Sequence, residues 1–357
     1  MFIFSVCFLV GEKHEFSENE NRYLEDYPKF KLSDFFDVEY TESLKNYVSD
    51  HFPFRDNLMG IKSKMELLSG KDEINDVFVA SDGYLMERYL KPKNTEKIIS
   101  KLNQFYRDLN YVNMSLMLVP TSVTVNADKL PRNAVTYSQT DEIKKYYDSV
   151  VFDTIDVTST LMDKNQDYQM YYKLDHHWTS YGAYYAYVEY CKHNEIEHSS
   201  ILDFDIEEVS SNFNGTLYSK TNLYHLNSDS IYLFIPQKNN YSVNYVFNEK
   251  VTDTLYVKEY LNQKDQYSMF LDNNHPLIVV TNLDQSNGKE IVVIKDSYAN
   301  SFIPFLIQHY EKVHVIDPRF YKDSIQEYIR SNDSIRDLLF LYNMNTIDRD
   351  TGIMTIH

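Results

Sequence analysis

The chain reads as an α/β protein: a parallel sheet flanked by helices, with a helical N-terminal segment and a β-rich insertion. Two observations predict this. From about residue 92, short apolar runs alternate with helical patterns, and strands this uniformly apolar belong in a sheet covered on both faces. Hydrophobic content of 43% with 25% charged residues is that of a folded globular chain, and 357 residues suffice for one large domain or two small ones.

The elements follow in order. Met1-Phe-Ile-Phe-Ser-Val-Cys-Phe-Leu-Val10 is apolar or small throughout and has no basic flank. It is too short to span a bilayer and lacks the charged start of a signal peptide. Residues 1–16 are therefore read as the remnant of an N-terminal membrane anchor or signal with its spacer. The alternative is a first strand or helix packed in the core. Residues 17–357 read as one domain. Within it, 17–91 is a helical segment with start signals at Ser33-Asp34-Phe35-Phe36 and Thr41-Glu42-Ser43-Leu44 and a break at Pro53. Gly70 stands where a helix cap belongs. Val77–Ala80, Ser81-Asp82-Gly83 and Tyr84–Met86 then form a hairpin with its turn.

Asn94–Leu109 is an amphipathic helix, and Ser115–Pro120 and Val150–Ile155 are strands. A helix is expected over Ser180–Lys192. Ile291-Val-Val-Ile294 is the most strand-like run of all, with a helix from about Asn300. Lys312–Asp317 and Asp337–Tyr342 complete the set. The stretch 200–280 differs, with alternating patterns and many Asn and Tyr, and reads as the β-rich insertion.

Composition excludes some functions. A net charge of −18 without a single basic run argues against nucleic acid, because phosphate binding needs clustered Lys and Arg. Two cysteines far apart, Cys7 and Cys191, exclude a disulfide framework. There are 32 tyrosines and only 8 glycines. Codon bias accounts for tyrosine excess, although Tyr also covers sugar faces well. A chain so poor in glycine keeps it where backbone geometry demands it, which singles out Gly83, Gly182 and Gly215.

In open parallel sheets, reactive groups gather at the carboxyl ends of strands. Ile291–Ile294 runs into Lys295-Asp296-Ser297-Tyr298-Ala299-Asn300, so Ser297 sits on a strand-to-helix turn with an exposed Oγ and an amide at the positive end of a helix. The plainer reading is that Asp296 or Ser297 simply caps that helix. A second element, Asp175-His176-His177-Trp178, precedes a helix and holds the only Trp. A carboxylate two residues from an imidazole can orient the ring toward a nucleophile, as in a triad, or can merely cap the helix. Asp175, His176 and His177 could instead begin a metal shell completed by Asp296, His275 or His314, but no HxH or HExxH spacing supports it, and no cofactor is implied. The absence of GxSxG, GxGxxG and P-loop motifs removes common α/β hydrolases, dinucleotide enzymes and NTPases.

Asp-x-His-Trp followed downstream by strand-Asp-Ser-helix resembles the alginate O-acetylation proteins and their relatives, the family named for its DHHW motif. Glu20-Asn21-Arg22, Asp50–Asp56, Asn75-Asp76-Val77, Asp82–Leu85, Lys129-Leu130-Pro131, Tyr171–Trp178, Lys295–Asn300 and Asp317-Pro318-Arg319 resemble its stations in order. The resemblance implies an SGNH-hydrolase-like fold with permuted block order. It also implies that residues 17–357 form an acyltransferase domain. Carried over residue by residue, it makes Ser297 the nucleophile, His177 the base and Asp175 its orienter. Arg319, Tyr298 and His176 are then candidates for substrate binding, with the Tyr-rich segments 171–190 and 217–246 expected to help form a sugar groove. Lys295 departs from the family pattern, which has glycine there.

The implied activity is extracytoplasmic O-acetylation of a surface or secreted polysaccharide, with a membrane-bound acyltransferase as acyl donor. The chain would be tethered by its N-terminal anchor or secreted. A carbohydrate O-acetylesterase with the same triad is the first alternative, and a non-catalytic polysaccharide-binding protein the second.

Overall fold

The computed structural model describes residues 8, 13–17, 22–29, 38–238 and 240–357. Most of the N-terminal apolar run, with Glu20, Asn21 and the Ser33–Phe36 start signal, lies outside them. No helix among the described residues is long and apolar enough to cross a membrane.

Eight strands form the central sheet: β1 (Asn113–Val119), β2 (Asp153–Thr154), β3 (Tyr241–Tyr245), β4 (Lys250–Thr252), β5 (Leu277–Asn282), β6 (Glu290–Lys295), β7 (Lys312–Ile316) and β8 (Ile335–Asn343). Their spatial order is β4-β3-β5-β7-β6-β8-β1-β2. The block β7-β6-β8-β1-β2 is parallel throughout. Beyond it, β5, β3 and β4 add on antiparallel to one another, and β5 is antiparallel to β7. The sheet is thus mixed, with a parallel block rather than a wholly parallel plan.

Strand β6 shows why these runs are apolar. Its side chains alternate between two cores, Ile291 and Val293 facing one, Val292 and Ile294 the other. The first core is closed by the Ser180–His193 helix, which buries Ala183, Tyr187 and Tyr190. The second is closed by the Thr95–Asp108 helix, whose Ile98, Ile99, Leu102 and Phe105 form one apolar stripe. Both helices lie within a residue of their expected ends.

Three differences from the sequence reading have local causes. Only Asp153 and Thr154 of the expected Val150–Ile155 strand pair with the sheet, while Phe152 and Ile155 pack into the cores on its two faces. After Ser297 the chain makes a 3-10 turn over Ser297–Ser301 before a short α-helix at Ile303–Leu306. The Asp296 side chain accepts from the Tyr298 amide at 2.9 Å and sets that turn. Residues 200–280 go to two places: Phe204–Phe213 and Asp229–Pro236 form a separate hairpin, whereas β3, β4 and the start of β5 extend the central sheet.

In the N-terminal part, helices Val38–Asp50 and Arg55–Leu68 flank Pro53, and Glu73–Ile74, Val77–Val79 and Leu85–Glu87 make a small three-stranded sheet.

Candidate active site

The end of β6 and the loop before the Ser180–His193 helix meet at one edge of the sheet. Asp175 Oδ1 accepts from His177 Nδ1 at 2.6 Å and from the His177 amide at 3.0 Å. His177 Nε2 lies 2.7 Å from Ser297 Oγ. Asp175, His177 and Ser297, expected to be orienter, base and nucleophile, therefore form one continuous hydrogen-bonded line, its second link joining residues 120 apart in sequence. Ser297 is the one partly exposed residue in an otherwise buried run from Glu290 to Asn300.

Each member is held from behind. Asp175 Oδ2 accepts from the Thr216 amide at 2.8 Å and its hydroxyl at 3.0 Å. Gly215 makes room for this: a Cβ there would lie 2.3 Å from Asp175 Cβ and Oδ2. Gly182 does the same for the following helix, since its Cβ would meet the Met170 carbonyl oxygen at 2.5 Å. Trp178, fully buried, donates its indole N–H to the Tyr298 carbonyl and to Ser301 Oγ, both at 2.9 Å. That side chain ties the histidine loop to the serine turn.

Tyr267, which sequence reasoning missed, covers the imidazole. Its ring stacks on His177 at 3.7 Å and 10°, and its hydroxyl contacts the Ser297 carbonyl at 3.3 Å. His176 packs on His177 at 3.9 Å. Nothing in the run around Tyr267 signals this role, because the loop is placed by tertiary contacts alone.

Burial and the neighbouring His176 push His177 down to about 4, against the pull of Asp175, so the ring is neutral at physiological pH and ready to accept a proton. For Asp175, burial acts upward, but the two histidines and the His177 and Thr216 hydrogen bonds hold the carboxyl well below the usual range.

The other candidates separate. His176, about one-third exposed, bonds Thr216 Oγ1 at 2.7 Å and lines a pocket of about 390 Å³ beside the triad. Arg319 lines the same pocket, its guanidinium gripped two-fold by Asp317 at 2.8 and 2.5 Å. Tyr298 must be corrected. It is fully buried, its ring packs near His177 and Trp178, and its hydroxyl donates to the His176 carbonyl. The residue after Ser297 turns inward on the 3-10 turn, so Tyr298 braces the site and offers no surface to a substrate. Tyr171, Tyr172, Tyr187 and Tyr190 of the expected sugar groove are likewise core residues.

Lys295 is buried completely. Its ammonium bonds Asn274 Oδ1 at 2.6 Å and Asn300 Oδ1 at 2.7 Å, with Asp317 at 3.5 Å. Burial pushes it down to about 8. Burial likewise raises Asp296 to about 6, although Asn343 and the Tyr298 amide donate to it.

Asp175, His176 and His177 do place ligand atoms within 4.8 Å of one another. Yet both Asp175 oxygens already accept hydrogen bonds and His177 Nδ1 is spent on Asp175. His314 bonds Glu290 and Tyr328, and His275 bonds the Asp272 carbonyl, so neither joins this cluster. The donor set fits a proton relay better than a metal shell.

An Asp–His–Ser line at the end of a parallel strand, with only its serine partly exposed, defines a triad-type site on an α/β sheet. Residues 94–316 match the DHHW protein family, and the chain belongs to that family. Its fold is similar to a DHHW family protein from Eubacterium siraeum, with TM-score 0.70 and 24% identity over 80% of this chain and 96% of that one. It is also similar to Bacillus cereus PatB1 solved with a sulfonyl adduct, with TM-score 0.63 and 20% identity over 78% of this chain and 99% of that one. A further structure of PatB1 gives 0.61 and 23% over 77% and 98%. No curated protein matches the chain.

Proposed function

We propose that this chain is an extracytoplasmic O-acetyltransferase that passes an acetyl group through Ser297 to a hydroxyl of a surface or secreted polysaccharide. The observation that carries the reading is the unbroken line from Asp175 through His177 to Ser297 Oγ, at 2.6 and 2.7 Å. Membership of the DHHW family supports it, since the resemblance drawn above leads to acetyl transfer onto polysaccharide. The apolar residues 1–10 support a position at the membrane, near a membrane-bound donor.

The residues divide the work as follows. His177 Nε2 takes the proton of Ser297 Oγ as that oxygen bonds the acetyl carbonyl carbon. The proton passes to the departing oxygen of the donor, leaving acetyl-Ser297 and neutral His177. A sugar hydroxyl then gives its proton to the same nitrogen while its oxygen attacks the acetyl carbon, and the proton returns to Ser297 as the ester bond to it breaks. The Ser297 amide, at the start of the 3-10 turn, would supply one donor to the oxyanion in both halves. Asp175 fixes the tautomer and steadies the transient imidazolium. Arg319 and His176 present a polar wall for the acceptor.

Transferase and esterase share acetyl-Ser297 and differ in what reaches it. Water stands at roughly 55 M, and a well-oriented hydroxyl can act with an effective molarity of roughly 10⁵ M or more. Slow cleavage of p-nitrophenyl acetate is expected, with acetylated protein visible by intact mass, and both should vanish in Ser297→Ala. Unchanged turnover in that variant would place the chemistry elsewhere. Adding oligosaccharides should divert acetyl onto sugar. If a broad panel only hydrolyses acetylated glycans and accepts no acetyl, the chain is an esterase.

A further inference from the structure

A second cleft, of about 400 Å³, draws on the 169–179 segment as the triad pocket does but shares none of that pocket's lining residues. Its walls include Gln169, Tyr181, His225, Asn227, Ser228 and Tyr232. We infer that this cleft is a binding subsite for an uncharged hexopyranose chain, holding residues of the polysaccharide away from the acetylated unit. The inference rests on the polysaccharide reading above.

The chemistry of the walls selects the ligand class. A pyranose with equatorial substituents offers a flat C–H face and a rim of hydroxyls. Tyr181 supplies a firm ring for such a face: it stacks on Tyr168 at 4.9 Å and 21° and meets the edge of Phe234 at 5.0 Å. Tyr232 stands 6.2 Å away at 61°, so two rings approach the cleft at an angle. Among the described residues the Tyr181 hydroxyl, the Asn227 amide and the His225 ring have no hydrogen-bond partner, which leaves donors and acceptors available to a rim of hydroxyls. No arginine lines the cleft. Its lysine, Lys173, donates to the Asp82 carbonyl at 3.1 Å and lies over the Tyr84 ring. The carboxylate of Asp229 is consumed by Gln169 Nε2 and by the amides of Lys173 and Leu174, at 2.8, 3.1 and 2.8 Å. The second carboxylate of the lining, Asp82, stands exposed beside Lys173, whose ammonium donates to its backbone carbonyl, so the walls carry both signs and suit a ligand without net charge.

The same Asp229 bonds give the cleft its relation to the triad. They fix the backbone immediately before Asp175. A chain seated here lies against the segment that presents the catalytic base, and so extends the acceptor contact along the polysaccharide.

Calorimetric titration of the full chain with cellopentaose, a neutral β-linked probe, tests this. Saturable binding is expected, weakened at least about tenfold by Tyr181→Ala, a loss of about 1.4 kcal/mol. Asn227→Ala should weaken it by a smaller factor, and it protects the test if Tyr181→Ala fails to fold. Cleavage of p-nitrophenyl acetate should be the same in Asn227→Ala as in the parent. Absent binding, or binding in both folded variants equal to that of the parent, overturns the cleft assignment. Tyr181-dependent binding in a chain that cleaves no acetyl ester would leave the cleft standing and overturn the transferase reading instead.

Discussion

At the scale of single residues, His177 is defined by what encloses it. Burial between Tyr267 and His176 disfavours the imidazolium, and the folded ring titrates at about 4 against an ordinary 6.5. With His177 as the proposed base, the neutral ring is the form that accepts the proton, and kcat/KM for p-nitrophenyl acetate should rise through an acid limb near pH 4 and be flat at neutrality. Tyr267→Ala admits water to one face of the ring and should move that limb upward toward 6.5, while Tyr267→Phe keeps the stacking and leaves it in place. A limb that stays near 4 in the alanine variant would show that Tyr267 does not set the base. The line from Asp175 through His177 to Ser297 was legible because Asp175 to Trp178 is one short run and Ser297 follows the most strand-like run in the sequence. Tyr267 was not, since a residue on a single 3-10 turn that reaches the site by packing leaves no local pattern. Tyr298 was misread because adjacency to a nucleophile says nothing of which way a turn points the next side chain.

At the scale of elements, the Thr216–Thr221 helix touches the site through a contact without slack. Its preceding residue, Gly215, sits against Asp175, and any Cβ would force the carboxylate from its two Thr216 bonds. Gly215→Ala should lower the unfolding free energy by about 1–3 kcal/mol, as overpacking does. It should also cut the acyl-transfer rate far more than a destabilised but intact fold would explain. Thermal melting and turnover of the folded fraction check this together. If turnover per folded molecule is unchanged, Asp175 does not depend on that contact. The strands β1, β6, β7 and β8 could be read from continuous apolar runs, and the Thr95–Asp108 helix from its stripe. The joining of β3 and β5 to the same sheet could not, because strand neighbours are chosen by nonlocal pairing that alternation in one segment does not encode.

At the scale of the whole molecule, much of the tyrosine is interior. Tyr171, Tyr172, Tyr298 and Tyr342 are fully buried, and burial raises each well above the ordinary value of 10.0. A raised folded value means that these phenols stabilise the fold fully below pH 10, and that this stability is lost as pH climbs above it. Each pH unit above that point removes about 1.4 kcal/mol per such residue, so four of them remove about 5 kcal/mol, comparable with the total stability of a domain. A steep alkaline unfolding transition about one unit above pH 10 is expected by circular dichroism, coincident with the appearance of tyrosinate absorbance. Tyrosinate appearing well before unfolding would show that these rings are reachable in the native state.

The sheet also decides the order in which the site comes apart. Strand β6 is buried at all six positions and bonded on both sides by parallel neighbours, so Ser297 hangs from a well-protected segment. The Asp175–His177 loop has fewer backbone bonds, those from the Tyr172, Thr179, Leu85 and Tyr218 amides to the His177, Met170, Lys173 and Leu174 carbonyls, and otherwise depends on side chains such as Asp229 and Thr216. Partial opening therefore releases His177 while Ser297 keeps its place. On warming, the protein should go silent reversibly some degrees below its melting point. Amides of residues 171–179 should exchange with deuterium in that interval, while those of 291–295 remain protected until the whole sheet gives way.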